Sequence, residues 1–188
     1  MELVLARHGE TEWSLDGRHT GRTDIPLTEA GRRQAVVLGE ALAGRSFERI
    51  MSSPLSRALE TCRLAGLGER VELDENLVEW DYGDYEAITT PQIRERRPDF
   101  YLWRDGCPGG ETAADVGRRA DHAIAAVEGV EGQAVLFAHG HVLRVLAARW
   151  LGLGPESGAL LKLDTGTLSV LGYERETRVI LRWNAPVG

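Results

Sequence analysis

The segment Arg7-His8-Gly9-Glu10-Thr11 follows the short apolar run Leu3-Val4-Leu5-Ala6 and sets a guanidinium, an imidazole and a glycine side by side. A planar guanidinium can hold two oxygens of a phosphate. A ring nitrogen can attack phosphorus, and glycine lets the backbone approach a bulky tetrahedral group. Taken alone, the segment fits a surface Arg-His pair at a strand end equally well, because short motifs recur by chance. Other segments must decide.

Ala138-His139-Gly140-His141 repeats the same order of apolar run, His and Gly, and leads into a helical pattern. A helix N-terminus favours an anion, and a protonated His139 there would stabilise phosphoryl oxygens as they gain charge. The alternative is a histidine that merely caps the helix; His141 reads as a supporting or structural residue. In Ser52-Ser53-Pro54-Leu55-Ser56-Arg57, Arg57 stands near a helix start, where the dipole disfavours a cation. Clamping a phosphate beside Arg7 would explain it, and a solvated helix arginine is the plain alternative.

Breaking a phosphate monoester expels an alkoxide, which leaves well only when protonated. The run Leu77-Val78-Glu79-Trp80-Asp81-Tyr82-Gly83-Asp84-Tyr85-Glu86 offers carboxyl groups among aromatic rings. A carboxyl desolvated by Trp80 and Tyr82 would hold the needed proton. Glu79 is the first choice, Asp81 and Asp84 are substitutes, and a solvated acidic loop is the structural alternative.

These residues need elements to bring them together. With 188 residues, 43% of them hydrophobic, the chain is expected to form one globular domain over 1–188. Residues 2–6 and 134–138 read as strands buried on both faces, with Arg49-Ile50-Met51-Ser52 as a weaker third. Thr28 can cap a helix in which Ala35, Leu38 and Leu42 share a face, and Ser53-Pro54 reads as the N-cap and first turn of another. Thr112 with Asp115 resembles a capping box ahead of the stripe Val116, Ala120, Ala123, Ile124 and Val127. The run from Val142 to Leu151 supplies a further helix, and Thr167–Tyr173 with Thr177–Trp183 suggest two paired strands. Residues 79–111 are expected to carry only a short helix near Pro91 to Arg97. Strands alternating with helices predict an α/β three-layer sandwich, a mostly parallel central sheet flanked by helices. Ligands sit at the carboxyl ends of such strands, where His8, Ser53 and His139 would converge.

Composition excludes other classes. A net charge of −7 argues against nucleic-acid binding, so an anionic substrate would need a local pocket of Arg and His. Two cysteines, Cys62 and Cys107, are too few for a disulfide framework or a cysteine-rich zinc site. His139-Gly140-His141 has no carboxylate at metal-site spacing, so no metal and no cofactor are expected. The start lacks a basic stretch followed by an apolar leader, and no run is long enough for a bilayer; a cytoplasmic protein without membrane contact is expected. Whether Val179-Ile180-Leu181 pairs two copies into a homodimer or simply packs is left open.

Together, Arg7-His8-Gly9-Glu10-Thr11, Ser53-Pro54-Leu55-Ser56-Arg57, Glu79 in Leu-Val-Glu-Trp-Asp-Tyr-Gly, and His139-Gly140 resemble the histidine phosphatase superfamily, the phosphoglycerate mutase-like group, in family order across nearly the whole chain. The resemblance implies a phosphohistidine on His8, a phosphate pocket of Arg7, Arg57 and His139, and proton exchange by Glu79. Trp13 to Asp24 resembles the substrate-side loop of the family, which implies Ser14, Thr20 and Gly21 near the phosphate or its leaving group, with His19 and Arg22 adding positive charge and Gly140 lining the phosphate site. Mutases of the family look longer, with an inserted basic segment after the glutamate and Glu-Arg-His-Tyr-Gly where this chain has Glu79-Trp80-Asp81-Tyr82-Gly83. The form here looks most like mutase-like acid phosphatases and sugar-bisphosphate phosphatases. The resemblance thus implies a metal-independent phosphatase acting on small phosphate monoesters. A phosphoglycerate mutase, a sugar-bisphosphate phosphatase and a non-catalytic phosphate-binding module are the alternatives. Ala87 departs from the family, where glycine is common.

Overall fold

The computed structural model describes residues 1–187. Its six-stranded sheet is built from β1 (Glu2–Arg7), β2 (Phe47–Ser52), β3 (Glu72–Leu73), β4 (Gln133–Ala138), β5 (Thr167–Glu174) and β6 (Thr177–Pro186), in the order β3-β2-β4-β1-β5-β6. The neighbours from β3 to β1 pair in parallel, whereas β5 lies antiparallel to both β1 and β6. The chain has seven helices of the α type: α1 (Glu12–Asp16), α2 (Glu29–Leu42), α3 (Ser56–Leu64), α4 (Thr90–Arg96), α5 (Leu102–Asp105), α6 (Ala113–Val127) and α7 (Gly140–Trp150), among the described residues.

Side-chain alternation splits each central strand between two cores. Leu3 and Leu5 of β1 and Leu136 of β4 pack with Val116 of α6 and Val142 of α7. Val4, Ala6, Val135 and Phe137 face the other way, onto Leu38 and Leu42 of α2 and Cys62 of α3. Three layers follow, as the alternation of strands and helices predicts. No helix among the described residues is long and apolar enough to cross a membrane. Burial raises both thiols, Cys62 and Cys107, to about 12, so both are packing residues.

Thr28 caps α2 through its hydroxyl, and Thr112 with Asp115 forms the expected capping box on α6. The start of α3 differs from expectation. The helix begins at Ser56, its N-cap residue Leu55 has no capping side chain, and Asp24 instead accepts bonds from Ser56 N and Oγ at 2.9 and 2.8 Å. Ser53 is needed elsewhere. The segment 79–111 carries α5 as well as the anticipated helix, because burying Leu102 and Trp103 stabilises a single turn that has no helical signature of its own.

Candidate active site

Register aligns the ends of three parallel strands: Arg7 stands opposite Ala138, and Ser52 opposite Phe137. The next residues, His8, His139 and Ser53, are therefore neighbours although far apart in sequence. The His8 and His139 rings lie 5.1 Å apart, centroid to centroid. His8 Nδ1 donates to the Gly9 carbonyl at 2.6 Å, which leaves Nε2 with its lone pair. Burial, then Arg57 and Arg7, hold this imidazole well below its usual range, so it is neutral. A neutral ring with a free Nε2 is the form a nucleophile requires.

Gly9 has a different job from the one its position suggests. A Cβ there would stand 2.2 Å from the Gly31 carbonyl oxygen, so the missing side chain admits α2 and not a phosphate. The corresponding glycine of the second motif does serve the site. A Cβ on Gly140 would come within 3.2 Å of Arg7 Cζ, so glycine lets the guanidinium lie over the start of α7. Arg7 bonds the Leu163 carbonyl through Nη1, while its buried Nε has no partner among the described residues. An unpaired buried guanidinium N–H is costly unless an anion meets it.

His139 is fully committed. Arg57 Nε donates to its Nδ1 at 3.0 Å, and its Nε2 donates to Ser53 Oγ at 2.8 Å. Burial first, then Arg57, keeps it neutral. This corrects the expectation of a protonated His139, because a guanidinium N–H occupies the nitrogen that would take the proton. Arg57 is itself wholly buried and gives Nη1 to the Thr23 carbonyl and Nη2 to those of Thr20 and Gly21. Four of its five N–H groups are thus spent on His139 and on fastening the loop before α2.

Glu79 receives three backbone N–H bonds of 2.9 Å, from His141 to Oε2 and from Trp80 and Val142 to Oε1. The sequence suggested an apolar pocket of Trp80 and Tyr82; the carboxyl instead sits on the N-terminus of α7, an anion-holding position. The ring donors serve elsewhere: Trp80 Nε1 bonds the Glu111 carbonyl and Tyr82 lies 2.6 Å from His141 Nδ1. Arg119 and Glu111 hold the glutamate from behind. Their side chains form a bidentate pair at 2.7 and 2.8 Å. Arg119 Nη1 also bonds the carbonyls of Asn76 and Val78 at 2.8 Å, and Glu111 Oε2 accepts from Asp81 N at 2.9 Å. No spacing rule points to this clamp, since its targets are main-chain atoms.

Arg7, His8, Glu79, Gly140, Ser14 and Thr20 line one cavity of about 380 Å³. Ser14 spends its hydroxyl within the cap of α1, where it donates to the Thr11 carbonyl and accepts from Thr11 N. Gly21 is not brought to the cavity wall: its N–H bonds Glu86 Oε1 at 2.9 Å, and a Cβ there would meet the Trp80 carbonyl at 2.5 Å. His19 reaches the cavity, but burial lowers it to about 4, so it adds no positive charge. Arg22 pairs with Asp81 at 3.4 Å. Both nitrogens of His139 and Nδ1 of His141 are engaged, so this pair offers no shared metal site. Arg18, Arg94 and Arg144, which sequence reasoning did not select, also line the cavity.

Residues 3–186 match the histidine phosphatase superfamily, branch 1. The chain belongs to that superfamily. It is 44% identical over 180 residues to an acid phosphatase of Mycobacterium tuberculosis, covering 94% of this chain and 88% of the relative. A 2,3-bisphosphoglycerate-dependent phosphoglycerate mutase of Brucella anthropi is 36% identical over 194 residues, with 94% of each covered. The solved structure of an open reading frame product from M. tuberculosis superposes with a TM-score of 0.95 at 39% identity, over 100% of this chain and 98% of that one. The chain is a phosphatase of this superfamily, with the fold the motifs implied.

Proposed function

We propose that the chain hydrolyses small phosphate monoesters through a phosphohistidine on His8, with Glu79 exchanging the proton and no metal taking part. In the first step His8 Nε2 forms a bond to phosphorus as the ester oxygen leaves with a proton from Glu79. In the second, water attacks phosphorus, Glu79 takes its proton, and the P–N bond breaks to release phosphate. The observation that carries this reading is the neutral His8 with Nδ1 tied to its own neighbour and Nε2 free, in a cavity shared with Glu79 and the unpaired Arg7 Nε. Arg7 anchors the phosphate. Arg57 and Ser53 fix the ring of His139, which borders the nucleophile.

Burial, then Arg57 and Arg7, hold His8 well below its usual range, so it stays an unprotonated nucleophile in mild acid. Activity that persists from neutral pH into mild acid follows. The similarity to a mutase keeps a phosphoglycerate mutase as the second reading; a strict need for added 2,3-bisphosphoglycerate would select it.

The test uses leaving groups. Replacing Glu79 by Gln should cost about 10²-fold or more in kcat on alkyl phosphates, and much less on aryl phosphates, whose leaving oxygen needs little protonation. Equal losses on both would remove Glu79 from the role of acid.

A further inference from the structure

One ring of the cavity wall takes no part in the steps above. His141 is the second residue of α7, and its main-chain N–H holds Glu79 Oε2 at 2.9 Å. Its imidazole lines the cavity together with His8 and Glu79. Three rings box it in: Trp80, Tyr82 and Trp103, with centroids 6.1, 5.9 and 5.3 Å away. Packed on those sides, the imidazole has little freedom to turn.

Tyr82 decides which nitrogen carries the proton. The phenol is buried, and its oxygen lies 2.6 Å from His141 Nδ1. Burial, then Glu79, raises Tyr82 well above its usual range, so it keeps its hydrogen. Among the described residues this hydroxyl has no other partner, so it must donate to Nδ1 if no buried O–H is to go unpaired. His19 stacks on the phenol ring at 4.6 Å, with 18° between the planes, and supports it from the other side. Burial, then Arg144, keeps the His141 imidazole neutral. A neutral ring that accepts at Nδ1 carries its hydrogen on Nε2.

That Nε2–H has no partner among the described residues, although its ring lines the cavity. Other ring donors nearby are spent, both nitrogens of His139 on Arg57 and Ser53, and Trp80 Nε1 on the Glu111 carbonyl. His141 therefore offers a fixed, uncharged donor beside the acid. In the second half-reaction a water gives one lone pair to phosphorus and one proton to Glu79. Its other lone pair is open to a donor, and filling it fixes the direction of attack.

We propose that His141 Nε2–H, oriented by Tyr82, donates to the attacking water and to the leaving oxygen whose place that water takes. As the O–P bond forms and the P–N bond breaks, Glu79 takes the proton and His141 keeps its own. His141 is then a further catalytic residue, and Tyr82 is a positioning residue. The proposal rests on the phosphohistidine reading above and adds the group that directs water to the intermediate.

A saturating aryl phosphate isolates the water step, because its leaving oxygen needs little help. Rapid quenching in the steady state then reads the phosphorylated fraction of His8. His141→Leu should lower kcat by about tenfold, the order of one neutral hydrogen bond, and raise that fraction above the native level. His141→Gln, whose amide brings an N–H close to the place of Nε2, should recover kcat to within about threefold of native. Tyr82→Phe keeps the stacked ring and removes only the hydroxyl, so it decides the matter if the leucine variant fails to fold. Long-range 1H–15N spectra should show native His141 protonated on Nε2 alone, and Tyr82→Phe with the proton shared between both nitrogens and phosphorylated His8 again raised. A merely structural role would slow both half-reactions and leave no excess of phosphorylated His8. That result in each folded variant, or a native His141 protonated on Nδ1, would overturn the proposal. Failure of the underlying reading is distinct: no phosphate on His8 of the native protein during turnover would remove the intermediate itself.

Discussion

The floor and the wall of this cavity are built in opposite ways. At the floor, His8 lines the cavity with Ser53 and His139 buried beneath it; the three are the first residues after three adjacent parallel strands, so backbone register alone sets them side by side. The wall is assembled by side chains that grip distant main chain. Arg57 fastens the carbonyls of Thr20, Gly21 and Thr23, and Arg119 fastens those of Asn76 and Val78, 43 and 41 residues away. A floor set by strand pairing carries the proposed nucleophile. A wall set by arginine clamps places the proposed acid.

If the wall acts by position, loosening it should injure catalysis in the manner of Glu79 and not of His8. Arg119→Gln should lower kcat on alkyl phosphates by about tenfold, with a smaller loss on aryl phosphates; the tenfold figure converts to about 1.4 kcal/mol of barrier. Equal losses on both substrates would make the clamp purely structural. Because it also breaks a half-buried, bidentate ion pair, the variant should lose stability, on the order of 2–3 kcal/mol in chemical denaturation.

The floor histidines, with the neighbouring His141 of α7, should show themselves in the pH dependence of stability. Burial holds His8, His139 and His141 well below their ordinary values. Their unfolded forms take up protons below about pH 6.5, whereas the folded forms do not. By linkage, stability is full above that pH and falls as the solution is acidified through and below it. Melting temperatures should drop from pH 7 towards pH 5. A flat profile would mean that the imidazoles are not buried as neutral rings.

The smallest effect is expected at the turn beside the wall. Ala87 adopts φ 67°, a left-handed conformation that disfavours a side chain, and its N–H bonds the His19 carbonyl at 2.9 Å. Ala87→Gly should stabilise the fold by about 1 kcal/mol with little change in kcat. Destabilisation would show that the turn is not strained.

The same contrast explains what could be read from the chain. Apolar runs ending in His-Gly announced both floor histidines, and Thr28 and Thr112 announced their helices, because strand burial and capping are local in sequence. Ser53 has the composition of a cap but serves His139, 86 residues away, so its use is not local in sequence. Glu79 was legible as a carboxyl for the cavity, which it lines, but its surroundings were not. Neighbouring Trp80 and Tyr82 suggested an apolar pocket, whereas the carboxyl is held by the start of a helix more than sixty residues later. Gly9 looked like a phosphate-approach residue and proved to be where α2 touches the floor. Clamps such as Arg119 bond main-chain carbonyls, which every residue has, so no pattern of residue types betrays them.

In the proposed mechanism His8 Nε2 carries the phosphoryl group between the two half-reactions. Rapid quenching during turnover of a 32P-labelled monoester, followed by peptide mapping, tests it directly. An acid-labile, alkali-stable phosphate on the peptide containing His8, absent from His8→Ala, is the predicted result. Label found on His139 or on a carboxylate, or a His8→Ala protein that still turns over at the native rate, would contradict the account.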